Sequence, residues 1–220
     1  MVGTRLVTRF MNFIASVLYH VYRYRTSFDK AFRYTYSMRR DPELKRYLSL
    51  LYLSSRDAVS HFIMLLNLYT YLRQRRVSLL QGKPSEVSYK DLARTWICYR
   101  AVDKVHNPQL IAAIERYCRD HGLNTVLLDE TLNELLPKLN TIEKLALRFS
   151  FPLWFVKTLS NFFEVNELEL LLKALNEEQL WLRVNTLVID YDKALRIVEA
   201  EGVVFEIDRD VPFLLRVQET

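Results

Sequence analysis

Leu180-Trp181-Leu182-Arg183-Val184-Asn185-Thr186-Leu187-Val188-Ile189 is the stretch on which the reading of this chain turns. It is apolar with Arg183, Asn185 and Thr186 interspersed, the pattern of a strand. Alternate side chains of a strand share a face. Trp181, Arg183, Asn185 and Leu187 are therefore expected on one side, and Leu182, Val184, Thr186 and Val188 on the other. Downstream, Asp190 can cap a helix over residues 191–201 that Gly202 ends. Val203–Ile207 reads as a second strand, Asp208-Arg209-Asp210 as a turn, and Phe213–Val217 as a third strand.

Upstream of this string the period is helical. Between Thr4 and Tyr24, Leu6, Phe10, Phe13, Val17 and Val21 recur in steps of three and four. Arg5, Arg9, Asn12, Ser16, Tyr19 and Arg23 follow the same period, so that face is expected to meet solvent or a ligand. Ser27 can cap a helix through Arg39. Asp41-Pro42-Glu43 has the capping side chain, first-turn proline and acid of a helix start. That helix, or a pair broken near Ser54-Ser55, is expected to reach about Arg76. Residues 77–87 read as a loop. Helices resume after Ser88 and after Asn107-Pro108, the latter ending at Gly122. Another runs from Leu127 to Leu136. Asn140-Thr141-Ile142-Glu143 has capping-box spacing; Leu145–Phe155 and Asn166–Leu175 follow as helices. The expected fold class is mainly α: a helical domain over residues 1–137, then residues 138–220 as helices plus a small α+β segment of partial RRM/ferredoxin-like type.

Charge is divided unevenly. Residues 1–110 hold 19 Lys and Arg against 7 Asp and Glu; residues 111–220 hold 12 against 19. A balance of +12 in one half and −7 in the other predicts that the first half meets a polyanion. Eleven of the 13 tyrosines lie in that basic half. Cations and rings interleave in His20-Val21-Tyr22-Arg23-Tyr24-Arg25 and again through Arg33, Tyr34, Tyr36, Arg39 and Arg40. Guanidinium groups pair with phosphates, and rings can stack on unpaired bases. The opposing reading is core tyrosines with wet hydroxyls and arginines on a solvated face. Taken singly, the tyrosines favour the core; the arginines as a patch favour a nucleic acid. Arg73, Arg75 and Arg76 form a second basic end, which equally suits a helix C-terminus.

Some chemistries are disfavoured. Gly3, Gly82, Gly122 and Gly202 are isolated, whereas nucleotide sites in doubly wound sheets need glycine-rich turns. Cys98 and Cys118 are too few for a secreted disulfide framework, so a reducing, cytoplasmic setting is expected. No stretch reaches the roughly 18 unbroken apolar residues of a membrane span. Cys118-Arg119-Asp120-His121 brings two ligand types close, but nothing else has zinc spacing. No catalytic and no metal-binding residue is assigned.

Four elements in order resemble the RsmB/Nop/Sun family of RNA cytosine-5 methyltransferases. Ser150-Phe151-Pro152-Leu153-Trp154-Phe155-Val156 is similar to its S-x-P-x-W-hydrophobic-V helix entry. Leu171-Leu172-Lys173-Ala174-Leu175-Asn176 resembles its LL-x-A-L-N segment, and Arg183–Leu187 its RVNTL string. Val211-Pro212-Phe213-Leu214-Leu215-Arg216-Val217 resembles its V-P-x-x-L-R-V strand. Residues 1–137 are similar in layout to the NusB-like RNA-binding domain that many members carry. The resemblance implies rRNA or tRNA as partner and S-adenosylmethionine as cofactor of the catalytic domain.

Departures matter as well. Family members commonly have Lys after RVNTL; this chain has Val188. The family's two catalytic cysteines follow Pro and Thr, whereas Cys98 follows Ile97 and Cys118 follows Tyr117. The methyl-transfer machinery and its cofactor are thus expected outside these residues, in a separate or deleted domain in cis or in trans. The chain is expected to position structured RNA without catalysing alone; the alternative is a NusB-like adaptor that joins RNA to a protein. RNA contacts are expected from Arg5, Arg9, Arg23, Arg25, Arg33, Arg39, Arg40, Arg73, Arg75, Arg76, Arg183 and Asn185. For Arg183 and Asn185 a second reading stands level: they fix the strand to a neighbouring domain, with Arg183 satisfied by Glu178 or Asp190.

Overall fold

The computed structural model describes residues 3–74, 87–105, 107–177 and 180–218. The chain is mainly α with a small α+β segment at its C-terminal end, as the periodicity predicts. It divides into two compact units, residues 1–172 and 173–220.

In the first unit, α1 (Thr4–Tyr24) is the central helix. Leu6, Val7, Phe10, Phe13, Ile14, Val17 and Leu18 are all buried. Around it pack α2 (Phe28–Arg39), α3 (Pro42–Lys45), α4 (Leu48–Ser60), α6 (Tyr89–Lys104) and α7 (Pro108–Asp120). Between α4 and α6 in sequence lies α5 (Phe62–Gln74), which packs on α6 and on α8 (Thr125–Leu135). A 3-10 turn over Leu136–Lys138 follows α8. The remaining helices are α9 (Thr141–Arg148), α10 (Leu153–Leu159) and α11 (Val165–Asn176). Leu145, Leu153, Val156, Leu168 and Leu172 make a second, smaller core.

Local chemistry sets the ends. The Asp41 carboxylate accepts from the Glu43 and Leu44 amides, and Asn107 from those of Gln109 and Leu110. Each is followed by a proline at the first helical position, where a missing amide hydrogen does no harm. Asn140 and Glu143 form the reciprocal capping box that their spacing predicts. Gly122, at φ +66, closes α7: its amide donates to the Arg119 carbonyl and the Leu123 amide to that of Cys118.

Two helices break at other places than the sequence suggests. The Asp41 start yields only the four-residue α3, and the next break falls at His61, between α4 and α5. Ser54 and Ser55 lie buried within α4. The stretch expected as one helix, 145–155, is interrupted between α9 and α10. Pro152 stands at the N-cap of α10, and Ser150 takes a left-handed φ of 58°. The Ser150 hydroxyl accepts from the Ile63 and Met64 amides at 3.1 and 3.3 Å, and so caps α5 from 87 residues away in sequence.

Cys98 and Cys118 are not the free thiols expected of a reducing interior. They form a disulfide that ties α6 to α7, with Cα atoms 5.6 Å apart and both residues buried. Helices packed side by side brought together two cysteines whose sequence contexts held no sign of pairing. Among the described residues no helix is long and apolar enough to cross a membrane.

The second unit holds β1 (Leu180–Arg183), α12 (Tyr191–Ala200), β2 (Phe205–Ile207) and β3 (Leu214–Val217). The sheet is antiparallel, in the order β1-β3-β2. A strand, a helix and two strands in that order form the first four elements of a ferredoxin-like β-α-β-β-α-β unit. Val184, Ala194 and Leu215 are its buried centre, with Leu182, Leu195, Val198 and Phe205 around them.

Candidate nucleic-acid interface

The polar stripe of α1 meets the protein at its middle and solvent towards its ends. Arg9 donates through Nη1 to both carboxylate oxygens of Asp41, at 3.0 and 2.9 Å, and lies 2.9 Å from Glu43. Arg39 reaches back from α2 and donates through Nη2 to the Asn12 carbonyl at 2.9 Å. Burial works against the Arg39 charge and lowers its pKa, while nearby Asp41 opposes that shift. Thr35 Oγ1 lies 3.5 Å from Ser16 Oγ. Arg9 and Arg39 thus hold α2 and α3 against α1, and the middle of the face expected to meet solvent or ligand is a helix seam, whereas Arg5, Tyr19 and Arg23 towards its ends are exposed.

The other cations of the cluster are differently placed. Arg5, Arg23, Arg25, Arg33 and Arg40 are exposed, and none has an ion-pair partner among the described residues. Arg25 and Arg40 stand at the left-handed C-caps of α1 and α2, at φ 54° and 38°, where their charges also suit the carbonyl end of each helix. Arg33 lines a groove of about 560 Å3 with Asp29, Phe32, Leu48, Tyr52 and Leu53, in which the Tyr52 hydroxyl donates to Asp29 at 2.9 Å. Arg73 lies elsewhere, with its guanidinium 5.6 Å from the centre of the Tyr69 ring, near Asp91 and Arg94. Arg75 and Arg76 lie outside the described residues.

Aromatic side chains gather where α1 ends. The Tyr19, His20 and Tyr24 rings contact one another, His20 contacts Tyr34 of α2, and Tyr19 contacts Tyr89 of α6. Arg23 sits close enough that its charge acts on both the Tyr19 and Tyr89 phenols. The core reading holds for other tyrosines. Tyr22 stacks on Phe62 and donates to the Val59 carbonyl at 2.8 Å, and burial pushes its phenol well above the usual value. Tyr71 and Tyr117 are buried too.

In the second unit the opening string behaves differently from its alternation. Only Leu180–Arg183 forms a strand. Asn185 then makes a turn: its Oδ1 accepts from the Leu187 amide at 3.2 Å, and its carbonyl from the Val188 and Ile189 amides. A short polar side chain that satisfies an amide two residues on favours a turn over a sheet ladder. Asn185 therefore does not continue the strand face that bears Arg183. Trp181 stands opposite Arg216 and Arg183 opposite Leu214, and Arg216 opposite Glu206, so these five share the sheet face turned away from α12. Of the two carboxylates suggested for Arg183, Asp190 accepts from the Lys193 amide as the cap of α12, and Glu178 lies outside the described residues.

One residue that sequence reasoning passed over is Asp57. It accepts from Trp96 Nε1 at 2.7 Å and Arg100 Nε at 2.9 Å, with His61 Nδ1 at 3.5 Å. The signal in the sequence is that it is the one carboxylate of α4. Asp57 joins α4 to α6 and serves the core. The described residues do not suit S-adenosylmethionine: the sheet is antiparallel, and Gly122 and Gly202 each sit at positive φ just beyond a helix, not in a strand-to-helix phosphate turn. Among the described residues no three His, Cys, Asp or Glu side chains group as metal ligands.

Residues 151–220 match the family model of the ferredoxin-like domain of RsmF/B-like methyltransferases. The match covers the α10–β3 region, with the LL-x-A-L-N, RVNTL and V-P-x-x-L-R-V elements and all but the first residue of S-x-P-x-W, and it relates that segment to the methyltransferase family they resemble. No curated protein and no solved structure gave a significant match to the chain.

Proposed function

We propose that the chain is an RNA-binding unit related to the N-terminal region of RsmB/Nop/Sun methyltransferases, with its helical part in the role of their NusB-like domain. In this reading it positions structured rRNA or tRNA for S-adenosylmethionine-dependent cytosine-5 methylation, carried out by a catalytic domain outside these 220 residues. The observation that carries the reading is one chain joining a ferredoxin-like segment of methyltransferase type to helices α1 and α2, along which Arg23, Arg25, Arg33 and Arg40 are exposed. Phosphate contacts release counterions, so affinity for an rRNA or tRNA fragment should fall steeply from low to physiological salt. Replacing those four arginines by Gln should weaken binding at least about tenfold and flatten the salt dependence. Fluorescence anisotropy measures both; affinity unaffected by salt and by the four substitutions would remove this reading.

Exposed apolar side chains favour an adaptor that joins RNA to a protein. Trp154 and Phe162, in and just after α10, are 70 % and 77 % exposed, and Leu170 on α11 is 68 % exposed. Side chains of this size and exposure would bury apolar area against a protein partner. A methyltransferase subunit retained on the chain after nuclease treatment would favour docking to a catalytic domain in trans, a retained protein of another kind would favour the adaptor, and loss of every partner would favour plain RNA binding.

A further inference from the structure

The rings at the end of α1 hold one another in place. His20 meets Tyr34 edge-on with centroids 4.7 Å apart and lies over Tyr24 at 5.5 Å and 27°. Tyr19 meets Tyr24 at 5.3 Å and Tyr89 at 5.6 Å, both edge-to-face, and the Tyr19 and Tyr24 hydroxyls are 3.3 Å apart. Edge-to-face contacts fix ring orientation. Yet Tyr19, Tyr24 and Tyr34 remain 38 %, 60 % and 49 % exposed. Tyr22, in the same helical turn, is packed on Phe62, so the exposed rings are not the overflow of a core.

Arg23 and Arg25 flank this cluster, in a half-chain with a balance of +12. Ordered ring faces beside exposed guanidinium groups suit a chain of phosphates that also offers flat apolar faces. A continuous duplex hides those faces in its own stack, and only unpaired nucleotides present them. We infer that Tyr19, His20, Tyr24 and Tyr34 form a stacking platform for unpaired bases, so that the RNA held here is a loop, bulge or single-stranded end. The inference rests on the RNA-binding reading above and narrows it.

The test uses the full chain, a single-stranded oligoribonucleotide and a blunt duplex of the same sequence, with anisotropy across a salt series. The single strand should bind more tightly than the duplex. Tyr24→Ala with Tyr34→Ala should weaken single-strand binding roughly tenfold or more, leaving duplex affinity and salt dependence as they were. Tyr24→Phe with Tyr34→Phe should keep the wild-type preference, since stacking needs the ring and not the hydroxyl. Arg23→Gln with Arg25→Gln should weaken both RNAs. Thermal melts establish that each variant is folded, which the exposure of these side chains favours. Equal affinity for the two RNAs, or a double-alanine variant that binds the single strand as the wild type does, would overturn the platform and leave the RNA-binding reading standing. No binding of either RNA at low salt would remove both.

Discussion

Ser150 belongs to the S-x-P-x-W element, and its role is to cap a helix from a distance. Its hydroxyl serves the first amides of α5, which have no carbonyl partners inside their own helix. Ser150→Ala should therefore cost about 1 kcal/mol, read as a lowered urea midpoint at constant slope. Asp57 carries more. Its carboxylate holds the indole N–H of Trp96, 1 % exposed, and the guanidinium of Arg100. Asp57→Ala leaves a buried donor unmet and a cation without its partner, a loss of roughly 2–3 kcal/mol by the same measurement. Neither effect could be read along the chain, because donor and acceptor are 39 or more residues apart.

At the scale of elements, the caps were the most legible features. Asp41-Pro42, Asn107-Pro108 and Asn140–Glu143 start helices because each motif satisfies its own backbone within four residues. Element lengths were less legible. Alternation through 180–189 predicts one long strand, but Asn185 has a closer partner in the Leu187 amide, and the strand stops at Arg183. The disulfide acts between elements, closing a loop of 20 residues that includes the α6–α7 connection. Cys98→Ser with Cys118→Ser, or full reduction, should lower stability by about 3 kcal/mol in a thermal or urea melt, by the loop-entropy estimate. An unchanged melt would mean that the bond contributes nothing to the native state.

Across the whole molecule the two units differ in what holds them. The first encloses α1 in a continuous core, whereas the second has Val184, Ala194 and Leu215 as its buried apolar centre. A fold of fewer than about 60 residues buries too little surface to be more than marginal on its own. Amides of β1 and β3 should therefore exchange with solvent orders of magnitude faster than those of α1, measured by native-state hydrogen exchange. Equal protection would indicate that the second unit unfolds only with the first.

The sequence by itself determined the helix period, the caps, the shift to an α+β segment near residue 180 and the asymmetry of charge. Each depends on residues within a few positions of one another or on simple composition. It also carried the resemblance to the methyltransferase family, because the motifs that bear it are contiguous strings. Tertiary structure alone decided which cations remain exposed. Arg9 and Arg23 fall on one helical stripe, yet Arg9 is held by Asp41 and Glu43 whereas Arg23 borders a cluster of rings drawn from α1, α2 and α6. A charge is left exposed or taken up by the neighbours that packing brings to it. Those neighbours lie on other helices, at separations that no local pattern in the chain encodes.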